Sequence, residues 1–235
     1  VPNISEGRDM AVINSISDVV EKIDDVRLLN VDPGKATNRT VITFISEPEA
    51  VLEAAFELIK KSKELIDMSN HLGEHPRMGA VDVCPLIPIS NISMEETVVY
   101  AHKLAKRVGL ELGIPVYCYE NAAKKKNRVN LADCRSGEYE GLEKKISSKN
   151  WKPDYGPNKF NTSVKKSGAT AIAARDFLIA YNINLNTTST RRANAIAFDL
   201  REAGRIKREG GKLNGKILKD KKGNVLRQPG YFKNL

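Results

Sequence analysis

Val26-Arg27-Leu28-Leu29-Asn30-Val31-Asp32-Pro33-Gly34-Lys35-Ala36-Thr37-Asn38-Arg39-Thr40-Val41-Ile42-Thr43-Phe44-Ile45 sets two apolar, β-branched runs on either side of a polar loop. Val26–Val31 reads as a strand, Asp32-Pro33-Gly34-Lys35 as a turn by its own chemistry, and Thr40–Ile45 as the returning strand. Helical spacing flanks this hairpin. Val12, Ile16, Val19, Val20 and Ile23 mark a helix over roughly 9–23. Pro48 opens a second, with Val51, Leu52, Ala55, Leu58 and Ile59 on its buried face. An extended start at Val1–Ile4 and an apolar strand at Ala80–Ile89 complete the order β-α-β-β-α-β, the split βαβ arrangement of ferredoxin-like sheets. Two prolines place part of that last strand near an edge or end of the sheet. The expected fold class is α+β with a mixed sheet.

Further along, Ser93-Met94-Glu95-Glu96 has the chemistry of an N-cap followed by an acidic first turn, opening a helix to about Leu112. Val116–Tyr119 reads as a short strand. Lys124–Lys152 is charged and reads as surface helix and loop. A turn-rich stretch surrounds Asp154-Tyr155-Gly156-Pro157, and Gly168-Ala169-Thr170 follows. Phe177–Leu185 alternates like a strand, and Thr190–Ala203 is spaced like an amphipathic helix. The remainder is rich in glycine and lysine, with weak strand signals at Ile217–Leu218 and Val225–Leu226. One strand and one helix cannot form an independent core. Residues 177–235 therefore either complete the first sheet or begin a second unit, and the expected division is an N-terminal subdomain over 1–176 and a partial second one over 177–235.

The chain has 235 residues, 41% of them hydrophobic, enough for one large domain or two small ones. It has no apolar run of the ~20 residues a membrane span needs. Three cysteines, an odd number without metal-type spacing, point to reduced thiols and a cytoplasmic protein. The net charge of +9 favours anionic partners. With one Trp and 6% aromatics, the basic clusters lack the stacking residues of a nucleic-acid binder. They read as solvated helix faces or as a guide for an acidic small molecule. The first residue is Val1, so a few residues are expected to be missing before it.

The chemistry concentrates in Met68–Pro85, which packs His71, Glu74, His75, Arg77 and Asp82 between apolar stretches. Pro76 disfavours helical backbone at His75, so this histidine sits on an extended or turn segment. Its ordinary pKa of ~6.5 lets it take and return a proton near neutrality. His71 and His75 stand four apart, but Gly73 and Pro76 oppose the helix that would turn both toward one metal, and no metal is expected. In the hairpin loop, Asp32 and Arg39 form either an ordinary turn or part of the cavity that His75 faces. Asn3, Ser5 and Glu6 precede the first helix, where amide groups attract anions or Ser5 simply caps. The glycines around Tyr155 and Ala169 could let a flat ligand approach the backbone.

Together these segments resemble the formiminotransferase domain family, found in glutamate formiminotransferases and in the transferase half of bifunctional formiminotransferase–cyclodeaminases. The matching runs are V-P-N-I-S-E-G (1–7), L-L-N-V-D-P-G-K-A-T-N-R-T-V (28–41), the whole of 65–88 with its G-E-H-P-R-M-G-A core, S-G-E-Y-E-G-L (136–142), W-K-P-D-Y-G-P (151–157), G-A-T (168–170), A-R-D-F-L-I-A-Y-N-I-N-L (174–185) and L-R-E-A-G-R (200–205). The resemblance implies transfer of the formimino group of N-formimino-L-glutamate to the N5 nitrogen of tetrahydrofolate, a co-substrate, in histidine breakdown. It implies two α/β subdomains with folate in the cleft between them, and a homodimer. It places the catalytic histidine on His75; by their own chemistry Asp32 or Glu74 could hold its ring, and Asn3, Arg39 or Arg77 could bind the substrate. The folate stretch falls on Gly156–Gly168, with Gly156, Pro157, Lys159, Phe160 and Gly168 as contacts; here the chain departs by a Lys165-Lys166 insertion. The family domain runs on past Leu235, so the second subdomain is expected to be incomplete. Other readings are formyl transfer between N5-formyltetrahydrofolate and glutamate, folate binding without turnover, and, from charge alone, nucleic-acid binding.

Overall fold

The hairpin forms, and its pairing lengthens the first strand. The chain begins with β1 (Asn3–Ile4), α1 (Met10–Glu21), β2 (Arg27–Gly34) and β3 (Arg39–Ile45). Asp32 pairs with Val41, Pro33 with Thr40 and Gly34 with Arg39, so the turn expected at 32–35 lies instead at 35–38. Cross-strand pairing overrides the turn chemistry of Asp-Pro-Gly. Pro33 fits because β2 is an edge strand, where a missing N–H is tolerated.

α2 (Pro48–Leu65), β4 (Val81–Leu86), α3 (Met94–Glu111), β5 (Val116–Glu120), α4 (Leu131–Arg135), α5 (Leu142–Ser147), α6 (Thr162–Ser167) and β6 (Thr170–Ala174) follow. Six strands form one mixed sheet in the order β2-β3-β1-β4-β6-β5. The pairs β2–β3, β3–β1 and β1–β4 are antiparallel, and β6 runs parallel to both β4 and β5. β3 thus lies between β2 and β1, in keeping with the interleaved start expected from the hairpin. Local chemistry sets the helix starts: Asp9 accepts from the Ala11 and Val12 amides, and Ser93 and Glu96 form a capping box. The helices α1, α2 and α3 bury Ile13, Ile16, Leu52, Phe56, Ile59, Leu104 and Val108 in one core with Ile4, Ile42, Cys84, Cys118 and Ile172 of the sheet.

β6 was not foreseen. The sequence assigns no element to 168–176 and takes Phe177–Leu185 as the next strand. Instead Thr170–Ala174 is a strand buried along its whole length. Residues 177–179 and 183–185 have no regular structure, and 180–182 lie outside the described residues. A Thr-Ala-Ile-Ala-Ala strand shows no alternation, because layers cover both of its faces. The second layer comes mainly from Lys124–Lys152, the stretch expected to be surface, with Val164 of α6 added. Cys134, Leu142, Ile146 and Val164 are buried against Val83, Tyr117, Tyr119, Ala171 and Ala173.

The computed structural model describes residues 1–179, 183–212 and 214–231. They divide into two compact units, Val1–Leu178 and Ile179–Leu235. In the second, α7 (Thr190–Leu200) starts at a Ser189 cap and has no buried residue, and β7 (Arg205–Ile206) pairs with β8 (Arg227–Gln228). Among the described residues no helix is long and apolar enough to cross a membrane.

Candidate active site

The His71–Pro76 segment leaves a short helical turn, Met68–Asn70, and returns to β4. Within it the His75 imidazole is half-buried. Its Nδ1 lies 2.7 Å from the Pro76 carbonyl oxygen, which can only accept, so Nδ1 carries the proton. The lone pair is therefore on Nε2. Arg39 Nη1 lies 2.7 Å from Nδ1 and 3.4 Å from Nε2. An N–H aimed along one nitrogen's lone pair would stand much farther from the other, so the guanidinium rides over the ring rather than on its edge. Burial and the neighbouring Arg39 charge hold His75 below its ordinary histidine value, which keeps it neutral, with a lone pair to take a proton.

Arg39 is held in turn. It donates to Asn3 Oδ1 from Nε at 3.1 Å and Nη2 at 2.8 Å, and to Asp82 Oδ2 from Nη1 at 2.9 Å. Asp82 is fully buried. It also accepts from Arg135 Nη2 at 2.5 Å and from the Met78 amide at 3.2 Å. A register shift explains how a buried carboxylate reaches this spot. Ile4 of β1 pairs with Val81 and Asn3 with Val83, leaving Asp82 without a partner on β1. Such a bulge re-aims the side chain of the extra residue. Two guanidiniums then share one carboxylate, and one positive charge remains beside His75.

Asp82 and Arg135 were not among the expected site residues. Asp82 had a signal, since a lone charge inside the apolar run Val81–Pro85 must be paired if buried. Arg135 had none, because only the packing of α4 brings it to β4.

The other expected residues divide. Asn3, Arg39 and His75 are brought together. Asp32 shares the sheet face of Asn3, since both pair with Val41, but it is exposed and makes no hydrogen bond to the ring. Glu74 makes none either, and the Pro76 carbonyl takes the part expected of these acids. Arg77 is buried and committed elsewhere: to Glu140 at 2.7 Å, Glu138 at 3.1 Å and His71 Nδ1 at 3.2 Å. His71 also donates from Nε2 to the Asn38 carbonyl at 2.9 Å, so both its nitrogens are used inside the fold. Among the described residues no three His, Cys, Asp or Glu side chains are grouped as metal ligands would be. Ser5 is not the cap of α1; its hydroxyl donates to the Gly79 carbonyl at 2.7 Å, and Asp9 caps the helix.

At the glycines expected to admit a flat ligand, the Cβ side of the backbone is occupied by protein. A Cβ at Gly168, whose φ is +66°, would lie 2.2 Å from the Met78 carbonyl oxygen, and one at Gly156 the same distance from that of Ile114. Phe160 packs against Tyr139 at 6.3 Å, Pro157 is half-buried and Lys159 is exposed. None of the three hydrogen-bonds to His75. A cavity of about 1110 Å³ lies toward the other end of β3, lined by Arg27, Leu29, Thr43, Ile45 and Pro85. It borders neither His75 nor Asp82.

Comparison with known proteins identifies the family. Residues 1–175 match the family described as "Formiminotransferase domain, N-terminal subdomain", and residues 180–220 match "Formiminotransferase domain". The chain is 48% identical over 219 residues to a formimidoyltransferase-cyclodeaminase of Dictyostelium discoideum, covering 93% of this chain and 40% of that protein. It is 47% identical over 203 residues to a glutamate formimidoyltransferase of Thermoplasma acidophilum, covering 86% and 66%. A glutamate formimidoyltransferase of Streptococcus pyogenes serotype M1 is 42% identical, with 87% and 67% covered. The chain thus spans about 40% of the bifunctional relative and about two thirds of the single-function ones. With a family match over most of its length and relatives 42–48% identical to it, the chain belongs to the formiminotransferase domain family.

Proposed function

We propose that this chain carries the proton-transfer site of a glutamate formimidoyltransferase, acting on N-formimino-L-glutamate and tetrahydrofolate in histidine breakdown. The observation that carries the reading is His75: a neutral, half-buried imidazole whose Nδ1 is fixed by a carbonyl and whose Nε2 is left to act. In the reaction the tetrahydrofolate N5 amine attacks the amidine carbon, and the new C–N bond leaves positive charge on N5. His75 Nε2 removes that proton. The resulting imidazolium returns it to the glutamate nitrogen as the old C–N bond breaks, releasing glutamate and the N5-formimino product. One group serves both steps, as microscopic economy in general acid–base catalysis allows. No residue of the chain is consumed.

The charge excess beside the ring supports an anionic substrate. Arg39 and Arg135 outnumber Asp82, so a substrate carboxylate entering here completes the neutralisation. Asp32, exposed on the same face as Asn3, is available to a bound substrate rather than to the ring.

The test uses the complete protein, wild type and His75→Gln, assayed with N-formiminoglutamate and tetrahydrofolate and, separately, with N5-formyltetrahydrofolate and glutamate. Loss of formimino transfer with retained folate binding supports the reading. Wild-type protein that binds folate but turns over neither donor would identify a binding module. Turnover of the formyl donor alone would move the assignment to formyl transfer.

A further inference from the structure

We infer that Asn38 is a positioning residue for the reaction assigned to His75, joining the three loops that hold the imidazole in place. The inference rests on the functional reading above but on different atoms.

Asn38 is buried at the end of the β2–β3 turn, with a φ of +48°. That left-handed conformation suits asparagine, whose short polar side chain bonds locally, far better than most other residues with a Cβ. Its Oδ1 accepts from the Gly7 amide at 3.0 Å, and its Nδ2 donates to the Leu72 carbonyl at 3.0 Å. The amide can be oriented only this way, because one partner is an N–H and the other a carbonyl. Its own carbonyl accepts from His71 Nε2 at 2.9 Å. Asn38 therefore joins the N-terminal loop, the hairpin turn and the loop that carries His75.

The neighbouring residues make the junction consequential. Arg39, next in sequence, rides over the His75 ring and is held by Asn3 from the N-terminal segment. His71 and Leu72 lie four and three residues before His75. Both bind to Asn38, and Gly73 packs so closely that a Cβ there would meet the Thr37 carbonyl oxygen at 2.3 Å. The path from Asn38 to the imidazole thus runs along two routes, through Arg39 and through Leu72–Glu74. Neither involves contact between Asn38 and the reacting atoms. A backbone conformation stored at a single buried residue is a recurrent way to pre-organise a site.

The experiment compares Asn38→Gly and Asn38→Asp in the complete protein with wild type and His75→Gln. Thermal unfolding, kcat, KM for both substrates and the pH profile of kcat/KM are recorded. Glycine keeps the left-handed backbone and removes both side-chain bonds. The expected result is a folded protein with kcat lowered about 10²-fold, the loss that a displacement of about 1 Å brings, and with KM changed far less. The acid limb of kcat/KM should move upward, toward ordinary histidine, as the ring leaves Arg39. Aspartate keeps the Oδ1 acceptor and the turn preference but turns a carboxylate oxygen on the Leu72 carbonyl, so it should lower kcat in the same pattern and carries the test if the glycine variant does not fold. Adding Asn38→Gly to His75→Gln should cost nothing more. A folded variant with wild-type kcat, an unmoved acid limb, or an additive loss on top of His75→Gln would overturn the inference. Full activity in His75→Gln alone would instead remove the catalytic reading, which separates the two failures.

Discussion

The two halves of the sheet differ in what covers them. Strands β4, β6 and β5 are packed on both faces, by α1–α3 on one side and by Cys134, Leu142, Ile146 and Val164 on the other. Strands β2 and β3 are packed on one face only. Along β3, buried Thr40, Ile42 and Phe44 alternate with the more accessible Arg39, Val41, Thr43 and Ile45. The candidate site lies at the seam. His75 and Arg39 belong to the open half, while Asp82 sits on β4 and Arg135 on the covering layer. A seam gives the chemistry both things it needs: a buried counter-charge to fix the guanidinium, and an imidazole that is only half-buried.

Substitutions on either side of the seam test that contrast. His75→Ala, on the open side, should lower turnover in the complete protein by ~10²–10⁴-fold, about 3–5 kcal/mol of barrier, with little change in the unfolding midpoint. Asp82→Ala, under the seam, should cost about 3–5 kcal/mol of stability, because it strands two guanidiniums near a buried position. Urea unfolding measures this, and Asp32→Ala is the control, expected within about 0.5 kcal/mol of wild type. If both aspartates cost the same, the distinction between the halves fails.

Packing gives the next contrast. Ile146→Ala removes a fully buried side chain from the covering layer and should cost about 2–5 kcal/mol. Val41→Ala, on the open face, should cost about 1 kcal/mol. An equal cost at Val41 in the complete protein would mean that another part of the molecule covers this face too.

The smallest effect expected is on pH dependence. Burial and Arg39 depress the His75 value, so the neutral base persists below the ordinary histidine pKa of ~6.5 and activity falls only as the pH drops through the depressed value. Arg39→Met removes the neighbouring positive charge and leaves the carboxylate of Asp82, so the acid limb of kcat/KM should rise. A limb that stays in place would show that Arg39 does not act on the ring.

Periodicity and local chemistry alone determined the first half of this protein. The hairpin, the spacing of α1 and α2, the Ser93–Glu96 capping box and the non-helical backbone at His75 were all legible, since each depends on neighbours within a few residues. The extent of β2 was not, because pairing with β3 outweighed the preference of Asp-Pro-Gly for a turn. β6 was hidden for a related reason: covered on both faces and built largely of alanine, it has no alternation to read. Within the site, His75 and Arg39 stood out by composition and by resemblance, and Asn3 by resemblance. Only the tertiary structure brought Arg135 to Asp82, tied Arg77 to Glu138 and Glu140, and set Asn38 between three loops. Those contacts join residues 31 to 63 positions apart, and no local pattern encodes a pairing at that range.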